Sequence, residues 1–285
     1  MRNIFTIDIE GWYQSSLDIL GPKHADVQRP VSPDRRVVIN TRRLLHILSE
    51  YGMSTTCFIL GTVTETYPEL VCEIRDAGHE IATHGYGHEL VYKLTPEKFR
   101  IDLQRSLGLL ENLTKESVRG YRAPYFSITH KSEWALEVLA ELGIEYDSSI
   151  FPIYRKLYGY SGWERFPHII HTAAGDLREL PISTISLLGQ TFPVIGGGYF
   201  RLLPYPLIQW VISGINQQGQ PVVFYIHPYE LDTDELRYPL LNETLKTRFV
   251  RLNQRLNRGK VEVKLRRLLD DFNWISVRKW ISEHK

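Results

Sequence analysis

Glu80-Ile81-Ala82-Thr83-His84-Gly85-Tyr86-Gly87-His88 is a short, strand-like run that ends by delivering two histidines four residues apart. Two imidazoles at this spacing can reach one ion from a single loop, and the flanking glycines permit the tight backbone that this needs. Imidazole nitrogen suits a borderline divalent ion such as zinc. Taken alone, the pair equally fits two satisfied loop histidines, so the remaining chain has to supply a matching acid, arginine and third histidine.

On either side of this run, β-rich segments alternate with longer helical patterns. Strands are expected at residues 4–9, 55–60, 80–83, 118–122, 144–148, 177–182 and 222–226. Helices are expected at 37–51, 68–77, 132–142 and 203–215, with one more opened by Thr95 as cap and Pro96 at its first position. Repeated strand–helix units predict parallel strands covered by helices. The polar residues fall at the C-terminal ends of the strands, where a β/α barrel places its active site. The fold class is therefore α/β, a (β/α) barrel of seven or eight strands, in a single domain over residues 1–285 with an aromatic loop over residues 151–168. An open doubly wound sheet is the alternative, but no Gly-x-Gly-x-x-Gly opens a first helix, and Gly196-Gly197-Gly198 runs into Tyr199-Phe200.

Composition narrows the function. Of the 285 residues, 43% are hydrophobic and 24% charged, the range of a globular domain, and the net charge of +1 gives no argument for nucleic-acid binding. Cys57 and Cys72 make no disulfide framework and read as small apolar residues. No stretch approaches the ~18 apolar residues of a membrane span. Acids arrive within the first residues, which predicts no secretory signal and a cytoplasmic location.

Four further segments carry chemistry. Thr6-Ile7-Asp8-Ile9-Glu10 ends the first strand, and period two puts Asp8 and Glu10 on one face, so one can ligate a metal while the other accepts a proton. The ordinary reading of either acid alone is a turn or cap. Arg122, in Gly120-Tyr121-Arg122-Ala123-Pro124-Tyr125, can pair with a buried carboxylate and orient it; Pro124 stiffens the turn so that the Tyr125 backbone N–H can point into the site. His227 follows the apolar run Val222-Val223-Phe224-Tyr225-Ile226, at the mouth of a late strand. Asp147, after Tyr146, either hydrogen-bonds a histidine ring or makes an Asx-turn. No Gly-x-Ser-x-Gly elbow is present, which argues against a serine hydrolase.

In order and spacing, Asp8-x-Glu10, Gly78-His79-Glu80-Ile81-Ala82-Thr83-His84-x-x-x-His88, Arg122-Ala123-Pro124-Tyr125 and His227 resemble the motifs of polysaccharide deacetylases, carbohydrate esterase family four. Thr55-Thr56-Cys57-Phe58-Ile59-Leu60-Gly61 is similar to the second strand of that family. The resemblance covers residues 1 to about 150 and the His227 strand. Tyr158-Gly159, the segment from Gly196 to Tyr205 and His227-Pro228-Tyr229-Glu230 further resemble a bacterial subgroup associated with exopolysaccharide gene clusters. The commonest family motif has two adjacent aspartates, whereas here Ile9 stands second and Glu10 follows.

The resemblance implies a distorted (β/α) barrel, continued in that subgroup by an extension from about residue 151, and metal-dependent removal of N-acetyl groups from an N-acetylhexosamine-containing polysaccharide or its lipid-linked precursor. It implies a divalent ion, zinc by preference, on Glu10, His84 and His88. Asp8 would be the general base and Arg122 its orienter. The Tyr125 N–H would bind the oxyanion, and His227, oriented by Asp147, would be the general acid. Some relatives of this fold act on cyclic amides or ureides with the same metal site, and a non-catalytic glycan-binding module is a third reading. Trp12, Tyr13, Tyr158, Tyr160 and Trp163 either stack on pyranose faces or pack the barrel mouth. The basic run from Lys246 to Arg267 reads as a solvated face, or as a peripheral contact with anionic lipid or glycan-lipid.

Overall fold

The computed structural model describes residues 1–12, 35–155, 158–237 and 244–284. Its central element is β1 (Arg2–Ile9), buried at every position but the first. That burial follows from neighbours on both edges and helices or barrel interior on both faces.

Ten further strands follow in the described residues: β2 (Thr56–Ile59), β3 (Glu80–Thr83), β4 (Gly120–Tyr121), β5 (Tyr146–Asp147), β6 (His168–Thr172), β7 (Gly175–Glu179), β8 (Thr184–Leu187), β9 (Gln190–Pro193), β10 (Val223–Ile226) and β11 (Asn273–Ile275). The main sheet runs β10-β1-β2-β3-β4-β5-β7-β6. Strands β10 through β7 in that order are all parallel, and β6 returns antiparallel on β7. The predicted distorted β/α barrel is therefore present, with seven parallel strands. The seam is stitched at one residue: Ser183 N–H donates to the Val223 carbonyl at 3.4 Å, and Val223 N–H donates to Ser183 Oγ at 2.8 Å. The hairpin β6–β7 and the separate pair β8–β9 were not expected from the sequence, nor was β11, which pairs with Arg2–Ile4 of β1.

The alternation along β1 builds two apolar layers. Phe5, Ile7 and Ile9 face the outer layer with Leu44, Leu48, Leu70 and Leu103, under the helices Arg36–Glu50, Pro68–Asp76 and Pro96–Thr114. Ile4 faces inward with Phe58, Ala82, Tyr146 and Tyr225. The same parity turns Thr6, Asp8 and Glu10 inward, and all three are buried.

The lower end of the barrel is plugged by polar groups and the C-terminal helix Val277–Glu283. Glu80 accepts from Thr56 Oγ1 at 2.6 Å, Tyr146 Oη at 2.8 Å and Arg278 N–H at 2.8 Å. Strands drawn from residues 2–147 and 168–275 thus share one sheet.

Tyr146 crosses the interior because residue 120 is glycine: a Cβ there would lie 2.0 Å from Tyr146 Cζ. Gly120→Ala forces the ring or β4 to move in a close-packed interior, and is expected to lower stability by about 1–3 kcal/mol. Urea unfolding of the two proteins measures this; an unchanged midpoint would show that the ring relocates freely.

Candidate active site

Four strand ends converge at the upper mouth of the barrel: Asp8 and Glu10 at β1, His84 and His88 after β3, Arg122 after β4 and His227 after β10. Glu10, His84 and His88 are all buried, and each offers one ligand atom within 4.8 Å of the others. Glu10 Oε2 lies 2.6 Å from His88 Nε2 and 3.7 Å from His84 Nε2. His84 Nδ1 donates to the Arg122 carbonyl at 2.8 Å, since a carbonyl can only accept. That bond fixes the tautomer and leaves the Nε2 lone pair facing Glu10, the arrangement found behind metal-ligating histidines. His88 takes φ 58°, a left-handed conformation unusual for a residue with a Cβ, and its ring is thereby turned into the cluster. Two imidazoles and one carboxylate, buried and oriented, fit a divalent ion of the zinc class.

Arg122 is fully buried. Its guanidinium donates to Asp8 Oδ1 at 2.7 Å, Thr6 Oγ1 at 2.8 Å, Ser148 Oγ at 2.8 Å and the Ser148 carbonyl at 3.1 Å. It also lies 4.2 Å over the Phe58 ring. Such a clamp leaves Asp8 one rotamer, with Oδ2 on the side of His227 at 3.9 Å. Tyr125 has φ 54° and ψ 22° and lines the same cavity. Burial opposes ionisation of Glu10, but the rings of His88, His84 and His227 outweigh it and hold the carboxyl well below the usual range.

His227 stands opposite, its Nε2 3.4 Å from Glu10 Oε1. Its Nδ1 faces Glu230 Oε1 at 3.2 Å, and Glu230 Oε2 accepts from Arg201 Nε at 3.2 Å. Arg201 in turn donates to the carbonyls of Asn253 and Leu256 at 2.6 and 2.8 Å. Tyr229 stacks on the His227 ring, 4.7 Å between centroids and 12° between planes. Burial disfavours the imidazolium, yet Glu230, Glu10 and Asp8 overcome this and raise the His227 pKa; Glu230, pushed up by burial, is brought below its usual value by His227, Arg201 and Arg258.

The expected partner of His227 was Asp147, and the structure corrects this. Asp147 is buried on β5, accepts from Ser149 Oγ and faces Glu179 across the β5–β7 pair. Burial raises both carboxyls, Glu179 well above the usual range with Asp147 adding to its shift. Ser149 Oγ also accepts from Ala123 N–H at 2.7 Å, so Asp147 supports the Arg122–Tyr125 turn from behind. Glu230 was missed, although its spacing was informative: three residues after His227, within the 3₁₀ turn Pro228–Leu231, it lies beside the ring.

The aromatic expectations divide. Tyr158 lines the cavity of about 310 Å³ that holds the acids and histidines, together with Tyr199, Arg201, Tyr225 and Gln254. Trp12 is instead buried against Tyr229 and Leu236, and Trp163 packs on Tyr160, whose own ring lies on His130 at 3.8 Å. None of these three lines that cavity. Tyr13 lies outside the described residues. The basic C-terminal run is also less solvated than expected: Arg251, Arg258 and Lys264 turn inward to backbone carbonyls, and Arg266 pairs with Glu50 and Glu262. Among the described residues, no helix is long and apolar enough to cross a membrane.

Residues 34–146 match the family model of polysaccharide deacetylases. Over that stretch, about two fifths of the chain, the sequence is of the polysaccharide deacetylase family. Residues 148–282 match a second model, described as a domain of unknown function, DUF3473. A peptidoglycan deacetylase of Helicobacter pylori is 34% identical over 152 residues, 49% of this chain and 51% of that protein, so the chain spans about half of that relative. By structure, a candidate polysaccharide deacetylase of Mycobacterium smegmatis aligns over 99% of this chain and 88% of its own, at TM-score 0.61 and 23% identity. One of Pseudomonas aeruginosa PAO1 aligns over 99% and 89%, at TM-score 0.59 and 16% identity. These two structures share the half-barrel fold. The deacetylase match alone does not hold the site: Asp8 and Glu10 precede it, whereas Tyr158, Arg201, His227 and Glu230 fall in the second match.

Proposed function

We propose that the chain hydrolyses the acetamide of an N-acetylated hexosamine in a polysaccharide or its lipid-linked precursor, with a divalent ion, zinc by preference, held by Glu10, His84 and His88. The wider setting proposed is exopolysaccharide assembly in the cytoplasm. One observation carries the reading: a buried two-histidine, one-carboxylate cluster lies between an arginine-clamped Asp8 and a glutamate-backed His227, in one cavity.

A divalent ion at that cluster supplies Lewis acidity toward the acetyl carbonyl and makes water a better nucleophile. The remaining work belongs to the chain. Asp8, fixed by Arg122, takes the proton of the attacking water. The Tyr125 N–H donates to the oxygen that gains charge. His227, with Nδ1 held by Glu230, gives a proton from Nε2 to the departing amine, without which an unactivated amide does not leave. Tyr158 and Tyr199 offer ring faces to the sugar.

Acetate release from a panel of N-acetylated glycans tests this. Turnover is expected with the metal-loaded protein, falling to background with a chelator and returning on addition of Zn²⁺. Silence of the loaded protein on every glycan would end the reading, and turnover confined to cyclic ureides would replace it with amidohydrolase chemistry.

A further inference from the structure

A second cavity of about 340 Å³ adjoins the active-site cavity, and Tyr158 belongs to the walls of both. Its lining includes Tyr92, His130, Lys131, Tyr154 and Arg155, and among the described residues it contains no acid. The wall between the two cavities is built. Gly159, at φ +95°, turns the loop where a Cβ would meet the Ile153 carbonyl at 2.4 Å, and Tyr160 N–H closes the turn on the Phe151 carbonyl at 2.8 Å. Tyr158 Oη then meets Tyr199 Oη at 3.0 Å, and Arg155 Nε donates to Tyr199 Oη at 3.4 Å.

Two cations of this chain, Lys131 and Arg155, line the cavity. Several surface arginines elsewhere pair with acids, as Arg42 does with Glu73, Arg43 with Glu262 and Arg105 with Glu65. Among the described residues, neither Lys131 nor Arg155 has a carboxylate partner. His130 does have one, Glu133, which approaches its Nδ1 at 3.6 Å. Tyr154 stands 81% exposed at the rim and offers a flat apolar face. Ring faces that suit a pyranose, beside two cations that no acid among the described residues neutralises, describe a site for a sugar bearing a carboxylate.

We infer that this cavity is a subsite for a carboxylate-bearing sugar next to the acetamido sugar being cleaved, with Lys131 and Arg155 holding the carboxylate and Tyr154 and Tyr158 the ring. This inference rests on the deacetylase reading and narrows its substrate to acidic N-acetylated glycans. Arg155 offers a planar fork that matches a carboxylate, and Lys131 adds a point charge. Tyr158 would then separate two adjacent sugars, with one ring edge on each cavity.

The test compares kcat/KM for acetate release by the zinc-loaded protein on three substrates. These are the N-acetylglucosamine tetramer, a tetrasaccharide alternating N-acetylglucosamine with glucuronate, and a peptidoglycan glycan strand whose acid is a lactyl ether. One acidic class is expected to exceed the neutral tetramer by about five- to tenfold at low salt, since two exposed ion pairs contribute modestly, and the gap narrows as ionic strength rises. Which acidic substrate leads tells a ring uronate from a lactyl substituent. In Lys131→Gln/Arg155→Gln the preference is expected to shrink to within about twofold, through KM and not kcat. Equal kcat/KM on all three substrates, or a preference that survives the double substitution, would overturn the subsite. If none of the three releases acetate, the deacetylase reading fails, and calorimetric binding of the same saccharides judges the subsite separately. Tighter binding of an acidic saccharide that the double variant loses supports it; equal binding overturns it.

Discussion

Glu10→Gln is expected to lose tight zinc binding, whereas Asp8→Asn keeps stoichiometric zinc and loses about a thousandfold in kcat. The two acids sit two residues apart on one face of β1, yet their surroundings divide them. Glu10 Oε2 points at the Nε2 atoms of His84 and His88, so replacing it with an amide removes the one anionic donor of the cluster. Asp8 Oδ1 is taken up by Arg122, and only Oδ2 turns toward His227. An asparagine at position 8 still accepts from Arg122 through its carbonyl, but it cannot take a proton from water. Arg122 keeps Thr6, Ser148 and the Phe58 ring, which limits the loss of stability from the missing anion. Zinc content by mass spectrometry or calorimetry, read beside kcat for each purified variant, separates ligand from base. Loss of zinc in Asp8→Asn, or more than about a tenth of kcat remaining in it, would contradict this division of labour.

The residues that the sequence made legible are those whose positions depend on local periodicity. Asp8 and Glu10 share a face because strand parity is two, and the pairing of β1 with β2 and β10 merely preserves that parity. His84, Arg122 and His227 each follow a strand directly, so a parallel barrel brings them to one end whatever the details of the loops. Partner choice is another matter. Asp147 is spent on Glu179 because β5 pairs with β7 in one register, and nothing within ten residues of Asp147 announces that neighbour. Trp12 and Trp163 carry the composition of a sugar platform, but their packing on Tyr229 and Tyr160 is a tertiary matter that composition does not reveal. The basic C-terminal run misled for a related reason. Arg251, Arg258 and Lys264 reach the backbone carbonyls of Leu236, Asp232 and Leu203, and backbone acceptors leave no mark in a sequence. Short strands such as β11 are defined by hydrogen bonds to β1 more than by any pattern of their own.

Glu230→Gln should separate two kinds of acetyl transfer to water. On an N-acetylated glycan kcat is expected to fall about a hundredfold, while hydrolysis of 4-nitrophenyl acetate changes by less than about threefold. The amine of the glycan leaves only when protonated, and the proton comes from His227. Nitrophenolate leaves without one, so its release reports attack and oxyanion stabilisation alone. Glu230 has no place in those earlier steps: its oxygens face His227 Nδ1 and Arg201 Nε. A glutamine preserves volume and can still accept from Nδ1, but it removes the charge that favours the imidazolium. It also leaves Arg201 buried without an anion, a loss of the kind that typically costs about 3–5 kcal/mol, partly relieved by the carbonyls of Asn253 and Leu256. Zinc content and the ester rate therefore serve as internal controls for folding of the site. Asp147→Asn supplies the contrast, since its partners are Ser149 and Glu179: whatever it costs should fall on amide and ester alike, through the Arg122–Tyr125 turn. An equal loss on both substrates in Glu230→Gln, with zinc retained, would place Glu230 among the structural supports and leave the orientation of His227 to Tyr229 and the backbone.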